Sequence, residues 1–494
     1  MSDLGELIPA GGGQNNTDFV ADGAIASGKP VILTAAGKAA EVDTTPTSDV
    51  LGTEAEFDDG YSAQVAVTFD IASGKYVAYV NDAANSSYPT AVVGTVTGTS
   101  ISWGTPVVIA SAGAATTRES NVVAYDAKNE KTIAFIVLSA TSYPTTYIGT
   151  ISGTTSSWTA GQTVTTESQS GGSTVFYDPS SENMVFAWGT SAGGENGTAR
   201  VASSTGTSFT FGTATVFRAT TPGGTSDCVA GIADTTNNKI ILVFPQTNGY
   251  PASIIGTVTG TAVAFDTIVA AASEKGERVN VTYDASAPAA LQVWQNGTDA
   301  KIIAFSISGT TQTYGTAITL SAGSDVGEYG IGYNSTAERS VVAYQDNSDT
   351  SGRYRIATIS GTTVTLGAET AFFPANAVND CLLAASGPDP EAMIVYRDAY
   401  AGDDSYGIML SIGYDASNMT SSNLLGIASA AILDTATGTI NTWGSRNEVQ
   451  TSLTIASDYY VQTDGTITTA SASPAQLIGE AITATQINIK DYTG

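Results

Sequence analysis

The stretch Ile151-Ser152-Gly153-Thr154 decides the fold, because copies of it recur along most of the chain. Versions ending in Gly-Thr stand at 96–99, 204–207, 258–261, 307–310 and 359–362, and a degenerate copy, Ser411-Ile412-Gly413, ends the series. The glycines of successive copies are 55, 53, 54, 49, 52 and 52 residues apart. The chain is therefore a repeat protein with a period of about 52 residues.

A second pattern runs in step with the first. An Asp or Asn ends one strand-like run, and an aromatic residue follows nine or ten residues later, near the end of the next run. The pairs are Asp70/Tyr79, Asp126/Phe135, Asp178/Trp188, Asp234/Phe244, Asp284/Trp294 and Asn334/Tyr344, and the seventh copy keeps Tyr396 but has Ser386-Gly387 in place of the Asx residue. We expect the Asx residues to accept backbone hydrogen bonds in tight turns and the aromatic residues to pack between neighbouring repeats.

Each repeat contains four short runs rich in β-branched and aromatic residues, separated by Asp, Gly, Ser and Asn. In the second repeat these runs cover 121–125, 132–138, 147–152 and 156–165. Four strands in a repeat of this length are typical of a β-propeller, in which each repeat forms one blade around a central channel. The sequence therefore predicts an all-β protein with a seven-bladed β-propeller.

The ends of the repeat array predict how the ring closes. The seventh repeat stops after its third strand, near Ile412, whereas a fourth-strand sequence stands alone at 50–57, before the first repeat. Gly52 precedes Gly104, the corresponding glycine of the first repeat, by 52 residues. We predict that strand 49–57 completes the last blade, so that no sheet edge is left open.

Residues 1–48 and 421–494 fall outside the propeller, which we place at 49–420. Strand signals at 29–33, 425–428, 438–443, 459–461 and 486–489 predict that the two pieces form one small discontinuous β-barrel or sandwich domain. The propeller would then be an insertion in this domain. Residues 1–17 show no periodicity, and we expect them to form a tail.

Three segments of these flanking pieces carry a resemblance to a known group of proteins. They are Ala21-Asp22-Gly23-Ala24-Ile25-Ala26-Ser27-Gly28-Lys29-Pro30-Val31-Ile32-Leu33, Ser457-Asp458-Tyr459-Tyr460-Val461-Gln462-Thr463-Asp464-Gly465-Thr466-Ile467 and Leu477-Ile478-Gly479-Glu480-Ala481-Ile482. They resemble small β-domains of tailed-bacteriophage virion proteins of the head-decoration and fibre type. The resemblance implies a structural protein of the virion, made in the host cytoplasm, with other capsid or tail proteins as partners and assembly into a homo-oligomer such as a trimer.

The composition excludes several classes of function. The chain has 46 acidic residues, 18 basic residues and no histidine, for a formal net charge of −28. Without histidine there is no Ser-His-Asp triad and no imidazole metal site, and the acidity argues against nucleic acid and anionic membranes as partners. No apolar run is long enough to span a membrane, and Cys228 and Cys381 cannot make a disulfide framework. We expect no catalytic residue, no metal ion and no cofactor.

Polar residues just beyond the repeated aromatics are the ligand candidates, since they vary from blade to blade and should lie at one mouth of the channel. They are Asp82, Gln246, Asn296, Asp346, Arg397 and Asp398, with Asn81 and Gln345 beside them. A further polar group precedes the first strands of the blades: Arg118, Glu119, Asp227, Glu277, Arg278, Glu328 and Asp380. Solvation of a loop also explains both groups, and a calcium site near Asp398–Asp404 stays open.

Together with the resemblance, these observations favour a non-enzymatic virion protein, a head decoration or a tail fibre, whose propeller serves either as an adhesion module for host or surface glycans or as a decoration. Two alternatives stay open. One is a glycan-active propeller hydrolase that uses Asp or Glu, although no carboxylate pair stands out from the repeat. The other is a secreted, lectin-like propeller.

Overall fold

The computed structural model is built from β-strands alone in the part of the chain that it describes, which covers residues 15–60, 62–114, 122–190, 196–219, 229–297, 299–322, 326–346, 348–373, 378–384, 389–398, 402–471 and 476–490. No helix that could cross a membrane occurs in these residues. The chain divides into two compact units, Asp49–Gly413 and a terminal unit of Met1–Ser48 with Tyr414–Gly494. The second boundary falls at 413 rather than 420, because Asp415–Ser417 pairs with Thr44–Pro46 in the terminal unit.

The described residues of Asp49–Gly413 form seven antiparallel sheets, which we number as blades in chain order. Within a blade the first to fourth strands lie side by side, and a short fifth segment pairs with the third strand. The strands are Ser62–Asp70, Lys75–Asp82, Tyr88–Thr97, Ser100–Trp103 and Val107–Val108 in blade 1; Val123–Asp126, Lys131–Val137, Pro144–Ser152, Thr155–Trp158 and Gln162–Thr163 in blade 2; Gln169–Asp178, Asn183–Thr190, Gly197–Ser204, Phe209–Phe211 and Thr215–Arg218 in blade 3; Ala230–Asp234, Lys239–Pro245, Pro251–Thr259, Ala262–Phe265 and Val269–Ala270 in blade 4; Glu277–Asp284, Ala289–Asn296, Asp299–Ser308, Thr311–Tyr314 and Ile318–Ser321 in blade 5; Val326–Asn334, Arg339–Asp346, Ser351–Ser360, Thr363–Leu366 and Thr370–Phe373 in blade 6; and Val378–Ala384, Glu391–Asp398, Asp404–Ser411, Val50–Leu51 and Ala55–Asp58 in blade 7.

The blades form a closed ring. The first strand of each blade contacts the first strand of the next, and that of blade 7 contacts that of blade 1. In blade 7 the third strand, Asp404–Ser411, pairs with the N-terminal segments: Leu410 lies opposite Leu51, and Gly407 lies opposite Ala55. The predicted all-β, β-propeller class is confirmed.

The Gly-Thr signature is a hairpin turn. In blade 1 Thr97 pairs with Ser100, so Gly98 and Thr99 are the only loop residues between the third and fourth strands. Gly98 has a φ of 60°, and the corresponding glycines of blades 2 to 6 have φ between 59° and 81°. Thr99, the second residue of the turn, has no positive φ, and a two-residue turn with a positive φ at its first central position alone is of type II′ and favours glycine there.

The same turn also packs against the preceding blade. A Cβ atom on Gly52, in the closing segment of blade 7, would lie 2.0 Å from the carbonyl oxygen of Thr99 in blade 1. The equivalent contacts elsewhere are Gly104 with Thr154, Gly212 with Thr261 and Gly315 with Thr362. The boundary between blades 7 and 1, which we call the seam, therefore repeats the contact found in three other pairs of blades. Its glycine, Gly52, comes from the N-terminal segment of the propeller rather than from the end of the seventh repeat.

The terminal unit contains two five-stranded sheets. The strands of one are, in spatial order, Asn16–Val20, Thr437–Asn441, Leu424–Ala428, Pro30–Leu33 and Ala39–Glu41, and those of the other are Arg446–Asn447, Gln486–Ile489, Gln476–Thr483, Asp458–Val461 and Ile467–Thr468. The expectation of a tail over 1–17 is wrong for Asn16 and Thr17, which pair with Asn441 and Ile440. Residues 1–14 lie outside the described residues.

We predict that Gly52→Ala destabilises the propeller and that Gly367→Ala does not. The added methyl group at Gly52 would meet the Thr99 carbonyl, whereas at Gly367, the equivalent glycine of blade 6, the nearest atom would be at an ordinary 3.4 Å. Displacing packed backbone in this way costs about 1–3 kcal/mol. Urea unfolding of the two variants measures the difference, and equal midpoints would show that the seam does not depend on this approach.

Candidate functional site

The seven repeated aromatic residues are buried, with at most 1% of their surface exposed. Several contact aromatic rings of a neighbouring blade. The ring centroids of Phe135 in blade 2 and Trp188 in blade 3 are 6.4 Å apart, and those of Phe217 in blade 3 and Phe244 in blade 4 are 5.1 Å apart. The prediction that these residues pack between repeats is confirmed.

In blades 1 and 6 the Asx residue forms a hydrogen bond with the next blade as well as capping its own turn. In blade 1, Asp70 Oδ1 accepts a hydrogen bond from the Ser73 amide at 2.9 Å. Asp70 Oδ2 accepts one from the Thr132 hydroxyl of blade 2, also at 2.9 Å. In the same turn the Ala72 amide donates to the Tyr125 hydroxyl of blade 2 at 3.1 Å. The turn between the first and second strands is thus tied to the following blade.

Blade 7 departs from this pattern where it meets blade 1. Its Asx position is taken by Ser386-Gly387, which lie outside the described residues. The first residue of its second strand is Glu391, whereas the second strands of four other blades begin with a basic residue: Lys75, Lys131, Lys239 and Arg339. Across the seam, the position after Lys75 holds Tyr76, where the other blades have Thr132, Met184, Ile240, Ala290, Ser340 and Ala392. The two unusual residues, Glu391 of blade 7 and Tyr76 of blade 1, face each other across the seam.

A cavity of about 490 Å³ lies at this seam. Blade 1 and blade 7 form opposite walls. The lining residues are Phe69, Gly74, Tyr76, Val96, Gly98 and Thr99 from blade 1 and Asp389, Pro390, Glu391, Met409 and Ser411 from blade 7. One wall is thus largely aromatic and apolar, and the other carries two carboxylates.

Hydrogen bonds hold the acidic wall in place. The Tyr76 hydroxyl donates to Glu391 Oε1 at 3.2 Å. From the other side, Asn334 Nδ2 of blade 6 donates to the carbonyl oxygens of Asp389 and Glu391, at 2.8 and 3.0 Å. Burial raises the pKa of the Glu391 carboxyl, and the hydrogen bond from Tyr76 opposes that rise. Glu391 is half-buried, and its Oε2 accepts no hydrogen bond from the described residues.

The six ligand candidates from the sequence occupy one end of their blades and are spread over blades 1, 4, 5, 6 and 7. Asp82, Asn296, Asp346 and Asp398 end the second strands of blades 1, 5, 6 and 7, Arg397 precedes Asp398, and Gln246 follows the second strand of blade 4. Several are engaged by neighbours within their own blade. Asp346 forms an ion pair with Arg353 Nε at 3.0 Å and accepts a hydrogen bond from the Ser348 hydroxyl at 2.6 Å, and Arg397 pairs with Asp403 at 3.3 Å.

The residues beside these candidates are buried. Asn81 has no exposed surface and Gln345 is 7% exposed. Of the group that precedes the first strands, Arg118, Glu119 and Asp227 lie outside the described residues, as do Cys228 and the side chains of Glu328, Asp380 and Cys381. Glu277 is exposed and Arg278 is half-buried.

An acidic cluster that the sequence did not predict surrounds Asp58 of the closing segment. Burial, followed by the negative charges of Asp82, Asp59, Asp404 and Glu56, raises the pKa of Asp58 to about 7. Asp82 is the one predicted ligand candidate in this set, and Asp404 belongs to the segment considered for calcium. Among the described residues no three acidic or thiol side chains are placed to hold a metal ion, so a calcium site near Asp398–Asp404 gains no support.

Comparisons with known proteins return propellers at low similarity. No protein-family model and no curated protein matches the sequence. A mutant of the Aleuria aurantia lectin in complex with Fucα1-6GlcNAc is 15% identical, with 64% of this chain and 97% of that chain covered and a TM-score of 0.40. AofleA from Arthrobotrys oligospora is 8% identical, with 85% and 97% covered and a TM-score of 0.43. The Cps50 (Swd1) β-propeller domain from Myceliophthora thermophila is 8% identical, with 73% and 100% covered and a TM-score of 0.43. At these TM-scores the likenesses carry no argument about function.

We predict that the propeller loses stability as the pH rises, through Asp58. The folded pKa of about 7 lies above the ordinary 3.8, so between these values the folded state binds more protons than the unfolded state, and the free energy of unfolding falls as pH rises. With solvent screening of this half-buried group, the expected loss between pH 5 and 8 is about 1 kcal/mol. Asp58→Asn should flatten this slope in urea unfolding.

The control is Asp266→Asn, on an exposed turn of blade 4. The Thr267 backbone amide lowers the pKa of Asp266, so this carboxyl stays ionised over the same range and the slope should match that of the parent protein. An unchanged slope in Asp58→Asn would contradict the assignment.

Proposed function

We propose that the propeller is a lectin-like, non-catalytic module and that the cavity between blades 7 and 1 binds a sugar residue. The observation that carries this proposal is the convergence of Phe69 and Tyr76 from one blade with Asp389 and Glu391 from the other around about 490 Å³. This volume falls within the range of about 300–1,000 Å³ that small-molecule sites occupy.

The two walls complement the two kinds of surface that a sugar presents. Its C–H groups favour an apolar wall, which the half-buried Val96 provides beside the rings of Phe69 and Tyr76, which are 5% and 1% exposed and have centroids 4.8 Å apart. Its hydroxyl groups are donors, and carboxylates accept them in charge-assisted hydrogen bonds that are stronger than neutral ones. Asn334 fixes the backbone that carries both carboxylates, so the acceptors are held in position before a ligand arrives.

The placement of the carboxylates favours binding over hydrolysis. Two-carboxylate glycosidases place one acid on each side of the scissile bond. Here Asp389 and Glu391 stand two residues apart on the wall of blade 7, and the lining residues of blade 1 include no carboxylate. The hydrolase alternative therefore lacks the opposed pair it needs at this cavity.

The virion role is a separate proposal, because it rests on the resemblance of the flanking segments alone. No comparison supports it, and a propeller lectin can function on or off a particle. We propose a test by mass spectrometry of purified particles from a host culture that produces the protein. Absence of the chain from particles that are otherwise complete would end the virion assignment and leave the lectin proposal standing.

We predict that Glu391→Gln weakens glycan binding about tenfold or more. The amide removes the charge of the acceptor, and a charge-assisted hydrogen bond contributes about 1.5–3 kcal/mol. A glycan array with the full-length protein identifies a ligand, and calorimetric titration measures the affinity of the variant. The matched control is Glu130→Gln, an exposed acid in the corresponding turn region of blade 2, which should bind as the parent does.

Folding and turnover are measured on the same samples. Equal melting temperatures for the variant and the parent show that a loss of affinity is local. Glycan binding that Glu391→Gln leaves unchanged would remove the cavity from the proposal. Release of reducing sugar by the parent, lost in Glu391→Gln, would replace binding with hydrolysis.

A further inference from the structure

The cavity at the seam is negatively charged on one side and has no compensating base in its walls. Asp389 is exposed and Glu391 is half-buried, and no described lining residue is Lys or Arg. The nearest base along the chain is Lys75, which precedes Tyr76. Side chains alternate along a strand, so Lys75 points to the face of blade 1 opposite to that of Tyr76.

This charge is a property of the seam rather than of the repeat. Glu391 reverses the charge found at the same position in blades 1, 2, 4 and 6, where the residues are Lys75, Lys131, Lys239 and Arg339. The partner of Glu391 is also particular to the seam, since Tyr76 replaces smaller or aliphatic residues of the other blades. The phenol donates its proton to Glu391 Oε1, so it neutralises none of the negative charge.

The charged side chains of the cavity therefore present only acceptors, and the other side-chain hydroxyls in its lining, those of Thr99 and Ser411, can both donate and accept. A carboxylate accepts hydrogen bonds and donates none, and the one phenolic proton is already used by Glu391. A ligand that supplies hydroxyl protons is matched to this wall. A ligand with its own carboxylate or sulfate would bring a second negative charge close to a half-buried one, where the repulsion is less screened than at an open surface.

We infer that this site selects sugar residues without an acidic group and rejects those that carry a carboxylate or a sulfate. Hydroxyl groups of the sugar donate to Glu391 and Asp389, and the apolar C–H face lies toward Phe69 and Tyr76. This inference rests on the proposed function and adds to it the class of sugar.

The test compares glycans that differ in one acidic group. The full-length protein is titrated with galactose and galacturonic acid, glucose and glucuronic acid, and N-acetyllactosamine with its sialylated and sulfated forms, at pH 8 in about 20 mM salt. We expect the uncharged member of each bound pair to bind about tenfold or more tightly than its acidic counterpart. The ratio should fall in about 500 mM salt, because the Debye length shortens.

Two variants separate charge from shape. Asp389→Asn changes an exposed side chain and should keep the fold, and the double variant Asp389→Asn, Glu391→Gln removes both charges. Both should reduce the preference for the uncharged sugar, the double variant more, whereas Glu130→Gln should leave it unchanged.

The outcomes distinguish this inference from the proposal on which it rests. Equal or tighter binding of the acidic members by the parent protein would overturn the charge selection and leave carbohydrate binding intact. Binding of neither member, across the array and in solution, would overturn the proposed function itself.

Discussion

The propeller depends on one pairing between the two ends of its own chain. Val50–Leu51 and Ala55–Asp58 supply the outer strand of blade 7, and Leu51 lies opposite Leu410, roughly 360 residues away. Because the entropic cost of closing a loop grows by only about 0.6 kcal/mol per doubling of its length, this pairing costs about 2 kcal/mol more than closure within one blade. The Gly413 amide donates to Asp49 Oδ1 at 2.7 Å, so the chain enters and leaves the ring at one place. That juxtaposition lets two segments so distant in sequence form one terminal unit.

Features that repeat could be predicted from the sequence, because each is set by local chemistry. The Gly-Thr signature needs glycine for a positive φ in the turn after the third strand, and this need recurs at Gly98 and its five counterparts. The turn has two residues in blade 1 and four in blade 3, where Ser204 pairs with Phe209. The Asx residues recur because each caps a turn of the same shape, as Asp70 does with the Ser73 amide. Pairings between distant segments leave no such signal. The sequence predicted a tail at Asn16 and Thr17, because their strand partners, Asn441 and Ile440, lie more than 400 residues away.

The candidate site was missed for the same reason. Tyr76 and Glu391 are 315 residues apart in sequence and each looks like ordinary variation within its own repeat. They become neighbours only when the ring closes and blade 7 meets blade 1. A comparison of equivalent positions does carry the signal, since an acid replaces a base at 391 and a large aromatic residue replaces smaller or aliphatic ones at 76. The ligand candidates at the ends of the second strands stay a prediction, and one of them, Asp346, pairs with Arg353 in its own blade.

The carboxyl groups near the seam differ in whether a hydrogen-bond donor lies within reach. In the closing segment, Asp49 accepts a hydrogen bond from the Gly413 amide and Glu54 accepts one from the Tyr396 hydroxyl at 2.6 Å, so both contribute to closure. Asp58 has a buried Oδ2 with no hydrogen-bond partner among the described residues. Its burial raises the pKa of the carboxyl group to about 7. Glu391 stands between these cases, because Tyr76 satisfies one oxygen and the cavity lies open to the carboxylate. Under the proposed function the second donor for this half-buried acceptor comes from outside the protein, and a sugar hydroxyl is a donor that adds no charge of its own.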